Sequence, residues 1–299
     1  MMATLPPSIG NVLALIKLRI TSSRLRMLDL ASFCNHSMLT VLNFQHNRIR
    51  SLKDTSTHQC DVYSSLFTLN LSYNWLTTVS MELFSRFVNL RHLRIDYNRL
   101  VTLDDTFVHH FLQVFYGGHN RITRQSICGW YLPNATTLVI FKQNELETVP
   151  LCIDKLVDET SLSISGNRLV NFSIENVVRL DKLKALDLSS NKLQTLLLST
   201  VKFPARLILI NLQDNMLTSL DLSCIPVRSL KIDAKNNFIS YFDVNGTSAN
   251  VTCLSMYGNP IDCSWKSAQE REQIQCVYTS VPKIRRMLPL HKASELQLL

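Results

Sequence analysis

Residues 183–193 read LKALDLSSNKL, a full copy of the pattern L-x-x-L-x-L-x-x-N-x-L. The pattern returns in residues 66–76, 90–100 and 207–217, and more degenerate copies keep the same spacing. Successive pattern asparagines lie 22 to 27 residues apart, at Asn47, Asn74, Asn98, Asn120, Asn144, Asn167, Asn191, Asn215, Asn237 and Asn259. A copy with Ser23 in place of the asparagine precedes them, so the sequence predicts about eleven repeats.

The pattern is that of the leucine-rich repeat, in which each copy is a short strand followed by a turn. One copy cannot bury its own leucines, so neighbouring copies must stack. We therefore predict an α/β solenoid, a leucine-rich-repeat horseshoe with a concave parallel β-sheet and a C-terminal cap. Residues 1–14 are predicted as a partial repeat or truncated start, 15–262 as the repeats, and 263–299 as the cap and basic tail.

Composition fits an ordered repeat protein. The chain has 7 Gly, 9 Pro and 46% hydrophobic residues among its 299, which argues against a disordered or collagen-like chain. No apolar run approaches the roughly 18 residues of a membrane span, so none is expected. The net charge of +8 is spread along the repeats, apart from a basic cluster in the tail, and we expect no nucleic-acid partner.

Enzymatic motifs are absent from the sequence. It contains no C-x-x-C, H-E-x-x-H or G-x-S-x-G pattern and no glycine-rich phosphate loop. The adjacent His109 and His110 are expected to be exposed to solvent rather than to bind a metal. We therefore predict a protein that is not an enzyme and that has no cofactor and no metal site.

Two features favour secretion. One is a set of N-x-[S/T] glycosylation sequons, at Asn35, Asn70, Asn134, Asn171, Asn245 and Asn250. The other is a content of 8 cysteines. The first residues do not read as a signal peptide, so we expect that the signal peptide is missing from this sequence.

The spacing of the cysteines predicts bridges between neighbouring repeats. Cys128 and Cys152 each follow a repeat asparagine by eight residues, which places them within disulfide reach on adjacent repeats. Cys34 and Cys60 are nearly equivalent in the same way. Cys224 has no equivalent neighbour and is predicted to be a buried free thiol.

The last repeat runs into Asn259-Pro260-Ile261-Asp262-Cys263-Ser264-Trp265 and a charged stretch that ends near Cys276. A capping element here would cover the open end of the hydrophobic core. We expect Cys263 to pair with Cys276, with Cys253 as a competing partner. This segment resembles the cysteine-bearing caps of extracellular leucine-rich-repeat proteins.

Function is expected on the concave face, where variable residues between the leucines form a regular grid. The positions just before the repeat asparagines hold aromatic and imidazole side chains in repeats two to five. Tyrosine and arginine are enriched at protein interfaces. The predicted partner-binding residues are His46, Tyr73, His92, Arg94, Asp96, Tyr97, Tyr116, His119, Leu138, Ile140 and Lys142.

The chain resembles insect secreted leucine-rich-repeat proteins, particularly the mosquito leucine-rich immune proteins. The resemblance rests on the repeats, the cap, the sequons and the Tyr/His-bearing face. Members of that family circulate in haemolymph and stabilise complement-like proteins. The resemblance implies a secreted, non-enzymatic module that binds a protein partner in innate immunity. It also implies a possible homo- or hetero-dimer, although no heptad pattern for a coiled coil follows Cys276.

Two other functions stay open at this point. The chain could be an ectodomain fragment of a Toll-like or adhesion receptor, for which a downstream transmembrane segment would decide. It could also be an intracellular leucine-rich-repeat scaffold, for which reduced cysteines and empty sequons would decide. The sequence does not name the ligand or the oligomeric state.

Overall fold

A computed structural model describes residues 3–57, 59–103, 105–133, 136–198 and 200–261. In these residues the chain winds into a solenoid whose turns each place one parallel strand on the same side. The strands form a six-stranded sheet followed by a five-stranded sheet. We number the turns as rungs one to eleven, and the side that carries these strands is the concave face.

The bounds of the elements follow the repeat. The strands of rungs one to eleven are Lys17–Arg19, Val41–Asn43, Thr68–Asn70, His92–Arg94, Val114–Tyr116, Thr137–Val139, Ser161–Ser163, Ala185–Asp187, Leu209–Asn211, Leu230–Asp233 and Val251–Ser255. The opposite side carries strand pairs Met27–Asp29 with Ser51–Lys53, Phe107–Val108 with Trp130–Tyr131, and Asn171–Ser173 with Thr195–Leu197. Helical segments are short, at Pro7–Asn11, Leu30–Phe33, Val62–Ser65, Met81–Ser85, Ile153–Lys155 and Ile174–Val177.

The repeat asparagines join the rungs to one another. In rung three, Asn74 Oδ1 accepts a hydrogen bond from the Ile49 N–H of the rung before it, at 3.0 Å. Its Nδ2 donates to Phe44 O of that rung and to Leu71 O of its own, at 2.9 and 3.0 Å. Buried backbone groups are costly unless they are paired. One side chain therefore provides hydrogen-bond partners for backbone N–H and C=O groups that the turn would otherwise leave unpaired.

The pattern leucines form a continuous core. Leu42, Leu69 and Leu93, in the strands of rungs two to four, are each 0% exposed. On adjacent strands of the sheet, Leu42 lies beside Leu69, and Leu69 lies beside Leu93. Each rung thus covers the leucines of the rung before it, which is the burial that a single repeat cannot achieve.

The register of rung six differs from the prediction. Leu138 pairs with Phe115, and Val139 pairs with Tyr116. Counting back four residues from the repeat asparagines would place Ile140 beside Tyr116, but the structure is shifted by one residue, and Ile140, a predicted partner-binding residue, is buried at 1% exposure. Two successive N–H groups, those of Gly117 and Gly118, donate to Val139 O, and the strand takes up one extra residue there.

Both inter-repeat disulfides are present. Cys34 is bonded to Cys60 with their Cα atoms 4.2 Å apart, and Cys128 is bonded to Cys152 with Cα atoms 5.1 Å apart. Cys224 is a free thiol as predicted, but it is exposed rather than buried, because the leucine pattern places its neighbours inward instead. The proposed partners Cys263 and Cys276, and the cap of residues 263–299, lie outside the described residues.

The structure differs from the prediction that both His109 and His110 are exposed to solvent. The prediction of exposure holds for His110 but is wrong for His109, which is 1% exposed. The His109 ring lies against Phe107, and its Nε2 hydrogen-bonds with Phe84 O at 2.9 Å. Burial lowers the pKa of His109, which favours the neutral ring.

The described part of the chain offers no helix with the length and hydropathy that a bilayer crossing demands. Among the same residues, no three His, Cys, Asp or Glu side chains are placed to hold a metal ion.

The concave sheet is interrupted between rungs six and seven. Glu159 stands there at the position that Leu183 occupies in rung eight. Its Oε1 accepts a hydrogen bond from the Leu138 N–H at 3.4 Å. Burial raises the pKa of the Glu159 carboxyl to about 7. A half-buried acid thus replaces an apolar residue where strand pairing stops.

We expect Glu159→Gln to stabilise the protein at pH 8 by about 1–2 kcal/mol. Because the folded pKa is raised, the native state holds the extra proton, and its stability falls as pH rises from about 4.5 through about 7. Gln keeps an acceptor for Leu138 without the charge. Urea unfolding at pH 5 and pH 8 measures the effect. Equal stability of the two proteins at pH 8 would contradict the assignment, and at pH 5, just above the unfolded pKa, the difference should be much smaller.

Candidate functional site

The residue just before each repeat asparagine has an unusual backbone conformation. In all eleven rungs it has a positive φ, between 52° and 77°, at Ser22, His46, Tyr73, Tyr97, His119, Gln143, Gly166, Ser190, Asp214, Asn236 and Gly258. In this left-handed region Gly and Asn are the least costly residues. Rungs two to five carry His and Tyr there instead, so they accept backbone strain and keep large side chains.

These four side chains form a continuous stack, which we call the aromatic column. The ring centroids of His46 and Tyr73 are 4.3 Å apart, those of Tyr73 and Tyr97 are 4.2 Å apart, and those of Tyr97 and His119 are 4.0 Å apart. The backbone holds each ring in place, since the Tyr73 N–H donates to Asp96 O and the Tyr97 N–H donates to Gly118 O. The rings are therefore already stacked in the unbound chain.

The stack leaves the edges of its rings accessible. Tyr73 is 40% exposed and Tyr97 is 39% exposed. Burial and the hydrogen bond with Tyr73 raise the pKa of Tyr97, which keeps its hydroxyl protonated. Burial, assisted by the nearby Lys142, lowers the pKa of His119. The column therefore presents ring edges and hydroxyl groups in a shallow concavity of about 510 Å³.

Beside the column, the strand of rung four positions Arg94. The Arg94 Cζ atom lies 4.6 Å from the centroid of the Tyr116 ring, a cation–π contact. Arg94 Nε lies 3.4 Å from Asp96 Oδ1, which also accepts a hydrogen bond from Ser72 Oγ at 2.7 Å. The guanidinium is thus held between a ring and a carboxylate with its other edge free.

Three of the predicted contact residues do not present their side chains to a partner. Asp96 is 4% exposed and positions Arg94 from below instead. Ile140 is buried, and Leu138 is half-buried against the core, at the inward position of its strand, because of the shifted register in rung six. His92 is half-buried, with Nδ1 3.4 Å from Thr68 Oγ1, and Lys142 is exposed. The site reduces to His46, Tyr73, Arg94, Tyr97, Tyr116 and His119, with His92 and Lys142 at its border.

The predicted glycosylation sites differ in access. Asn35, Asn171 and Asn245 are exposed, and Asn250 is half-buried. Asn70 is only 8% exposed, and its Nδ2 donates to Gln45 Oε1 at 3.1 Å. A glycan on Asn70 would have to break that bond and displace its neighbours, so the structure disfavours this predicted site. Asn134 lies outside the described residues.

Sequence reasoning missed a second set of residues next to the column. Three arginines surround the Trp75 indole, with Arg48 Cζ and Arg50 Cζ each 5.4 Å and Arg99 Cζ 4.9 Å from its centroid. The signal was present in the sequence, because the residue directly after the repeat asparagine is Arg48 in rung two, Trp75 in rung three and Arg99 in rung four. These three residues follow the asparagine, whereas the predicted site was drawn from the strand and from the positions before the asparagine.

Comparisons with known proteins agree with this architecture. A family profile described as a leucine rich repeat matches residues 61–100. Chaoptin of Drosophila melanogaster is 31% identical over 186 residues, an alignment that covers 60% of this chain and 14% of chaoptin. The leucine-rich repeat domain of mosquito APL1 superposes with a TM-score of 0.66 at 25% identity, covering 87% of this chain and 65% of that domain.

A third match is a crystal structure described as an LRIM1/APL1C complex. It has a TM-score of 0.56 at 21% identity and covers 81% of this chain and 47% of that one. The fold of the described residues is that of leucine-rich-repeat proteins, and the profile match over residues 61–100 agrees with it. In particular, the chain resembles the leucine-rich-repeat domains of the mosquito proteins APL1 and LRIM1.

Proposed function

We propose that the chain is a secreted, non-enzymatic module that binds a protein partner in innate immunity through the concave face of rungs two to five. The aromatic column carries the proposal. Its four rings occupy left-handed positions, where Gly and Asn are the least costly residues and where the other seven rungs carry Ser, Gln, Gly, Asp or Asn but no aromatic ring. Strained residues tend to be retained where their side chains function.

The composition of the surface suits a protein partner. Tyr and Arg are enriched among residues that dominate binding energy, and Tyr loses little side-chain entropy on binding. The stacked rings and the restrained Arg94 are preorganised, which lowers the cost of association. One structural relative is a complex of LRIM1 and APL1C. That assembly belongs to the relative, and it supports partner binding by this chain only through the shared fold.

Secretion is supported by the disulfides and by the exposed sequons. Disulfides persist in oxidising compartments and are rare in the cytosol. The two bridges each join neighbouring rungs, and Asn35, Asn171 and Asn245 are accessible to a glycosyltransferase.

The experiment is a non-reducing peptide map, with glycan release, of the protein from its native source. We expect Cys34 linked to Cys60, Cys128 linked to Cys152, and glycans on exposed sequons. Asn70 should be bare and serves as an internal control, because it is buried in the folded protein. Free thiols together with bare asparagines at every sequon would exclude secretion and favour an intracellular scaffold.

A further inference from the structure

Seven exposed arginines line the surface next to the aromatic column, on rungs one to five. They follow the repeat asparagine position by one, three or four residues and form the arginine strip: Arg24, Arg26, Arg48, Arg50, Arg99, Arg121 and Arg124. Backbone hydrogen bonds keep this surface in register, as the Arg48 N–H donates to Leu25 O and the Arg99 N–H donates to Leu76 O. At about 4.8 Å per rung, the strip is roughly 20 Å long.

The strip contains no counter-charge. No Asp or Glu occurs in its segments, residues 22–26, 46–50, 73–77, 97–101 and 119–124. Within the described residues, none of its seven guanidinium groups takes part in an ion pair. The pattern ends at rung six, where the equivalent position is Glu145, and the next one, Arg168, is paired with Glu145 at 2.8 Å.

Trp75 organises the centre of the strip. The three guanidinium groups around its indole are brought together despite their mutual repulsion, since the ring attracts cations. A guanidinium held on a ring keeps its N–H edge available for planar oxyanions. The cluster is therefore a preformed site for a group that bears several anionic oxygens.

The groups that lie beside the arginines limit the class of partner that the strip can bind. The residues between its arginines point inward, with Ile49, Leu76 and Leu100 each 0% exposed. Val101, 44% exposed, is the one large aliphatic side chain exposed in these segments, so a folded protein finds little apolar surface for anchoring. Single-stranded nucleic acid binds by stacking its bases on exposed ring faces. Here the faces are occupied, because the rings of the adjacent column lie 4.0 to 4.3 Å apart and arginines surround Trp75.

We propose that the arginine strip binds a sulfated polysaccharide, whose regularly spaced sulfate esters accept charge-assisted hydrogen bonds from successive arginines. This partner is additional to the protein partner of the concave face and does not depend on it. The strip lies beside the aromatic column, so a bound polysaccharide would leave the accessible ring edges uncovered.

The test measures binding of a size-fractionated heparin oligosaccharide to the purified chain by titration calorimetry at physiological salt. We expect Arg48→Ser with Arg99→Ser to weaken binding at least about tenfold, because two charge-assisted contacts are lost at the Trp75 cluster. The matched control is Lys192→Ser with Arg206→Ser, which removes the same charge from exposed sites on rungs eight and nine. We expect that control to change affinity less than about twofold.

Further measurements distinguish specific binding at the arginine strip from nonspecific attraction of the polysaccharide to a basic protein. Trp75→Leu preserves every charge and should still weaken binding, because the guanidinium groups lose their support. Arg50→Ser with Arg121→Ser provides a second test if the first variant folds poorly. Equal losses in the strip and control variants would overturn the proposal, as would equally tight binding of desulfated heparin. Displacement by double-stranded DNA at equal charge concentration would assign the strip to nucleic acid instead.

Discussion

Replacing Asn98 by Ala is expected to lower the free energy of unfolding by about 3–5 kcal/mol. Asn98 Oδ1 accepts a hydrogen bond from the Leu76 N–H at 3.0 Å, and its Nδ2 donates to Leu71 O and Ile95 O, each at 3.0 Å. The side chain is 8% exposed, so water cannot replace these partners without opening the rung. Each buried group left without a partner costs about 1–3 kcal/mol.

Urea unfolding of the full chain measures this effect. The control is Asn89→Ala, because Asn89 donates one hydrogen bond, to Ser64 O at 2.7 Å, in an exposed position. We expect that change to cost under about 1 kcal/mol. A comparable small loss for Asn98→Ala would show that the rungs do not depend on the asparagine. A changed slope with denaturant would indicate that rungs unfold separately, as solenoids can.

Replacing Arg94 and Tyr97 together by Ala is expected to weaken binding of the protein partner by about 2–4 kcal/mol. Both side chains are restrained before binding, Tyr97 by the column and Arg94 by Tyr116 and Asp96. Their truncation removes preorganised contact area near the centre of the proposed interface. Neither side chain is part of the buried core, so the fold should be retained.

The protein partner is first isolated by cross-linking it to the chain at its native source. The affinity of the variant for that protein is then measured. Asp214→Ala with Lys231→Ala is the matched control, since both residues are exposed on the same face in rungs nine and ten. Unchanged affinity for the Arg94 and Tyr97 variant, with reduced affinity for the control, would move the site to the other end of the solenoid. Heparin binding should be unaffected in both, which separates this interface from the arginine strip.

The repeat made much of the architecture predictable. Spacing alone placed Asn98 and Asn120 at equivalent positions, and both indeed hydrogen-bond to the rung before them. The same spacing predicted the disulfide between Cys128 and Cys152, which the structure contains. It also located the column from His46 to His119, although not the left-handed backbone that holds it.

Other features depended on details that spacing does not carry. The asparagine of rung six is in phase, but the added residue lies between strand and asparagine, so Ile140 turned inward. Asp96 carries a charge and was expected to face a partner, yet Ser72 and Arg94 hold it below the surface. His109 reads as a surface residue until the Phe84 carbonyl is seen to face its ring.

The sequence by itself determined the solenoid, the order of its rungs and which residues share a column, because a repeat of fixed period places equivalent residues one above the other. Only the tertiary structure decided how neighbouring side chains in a column interact. Stacking of Tyr73 on Tyr97 and convergence of Arg48, Arg50 and Arg99 on Trp75 depend on backbone angles and side-chain rotamers. Those are set by packing between rungs, which no single repeat contains.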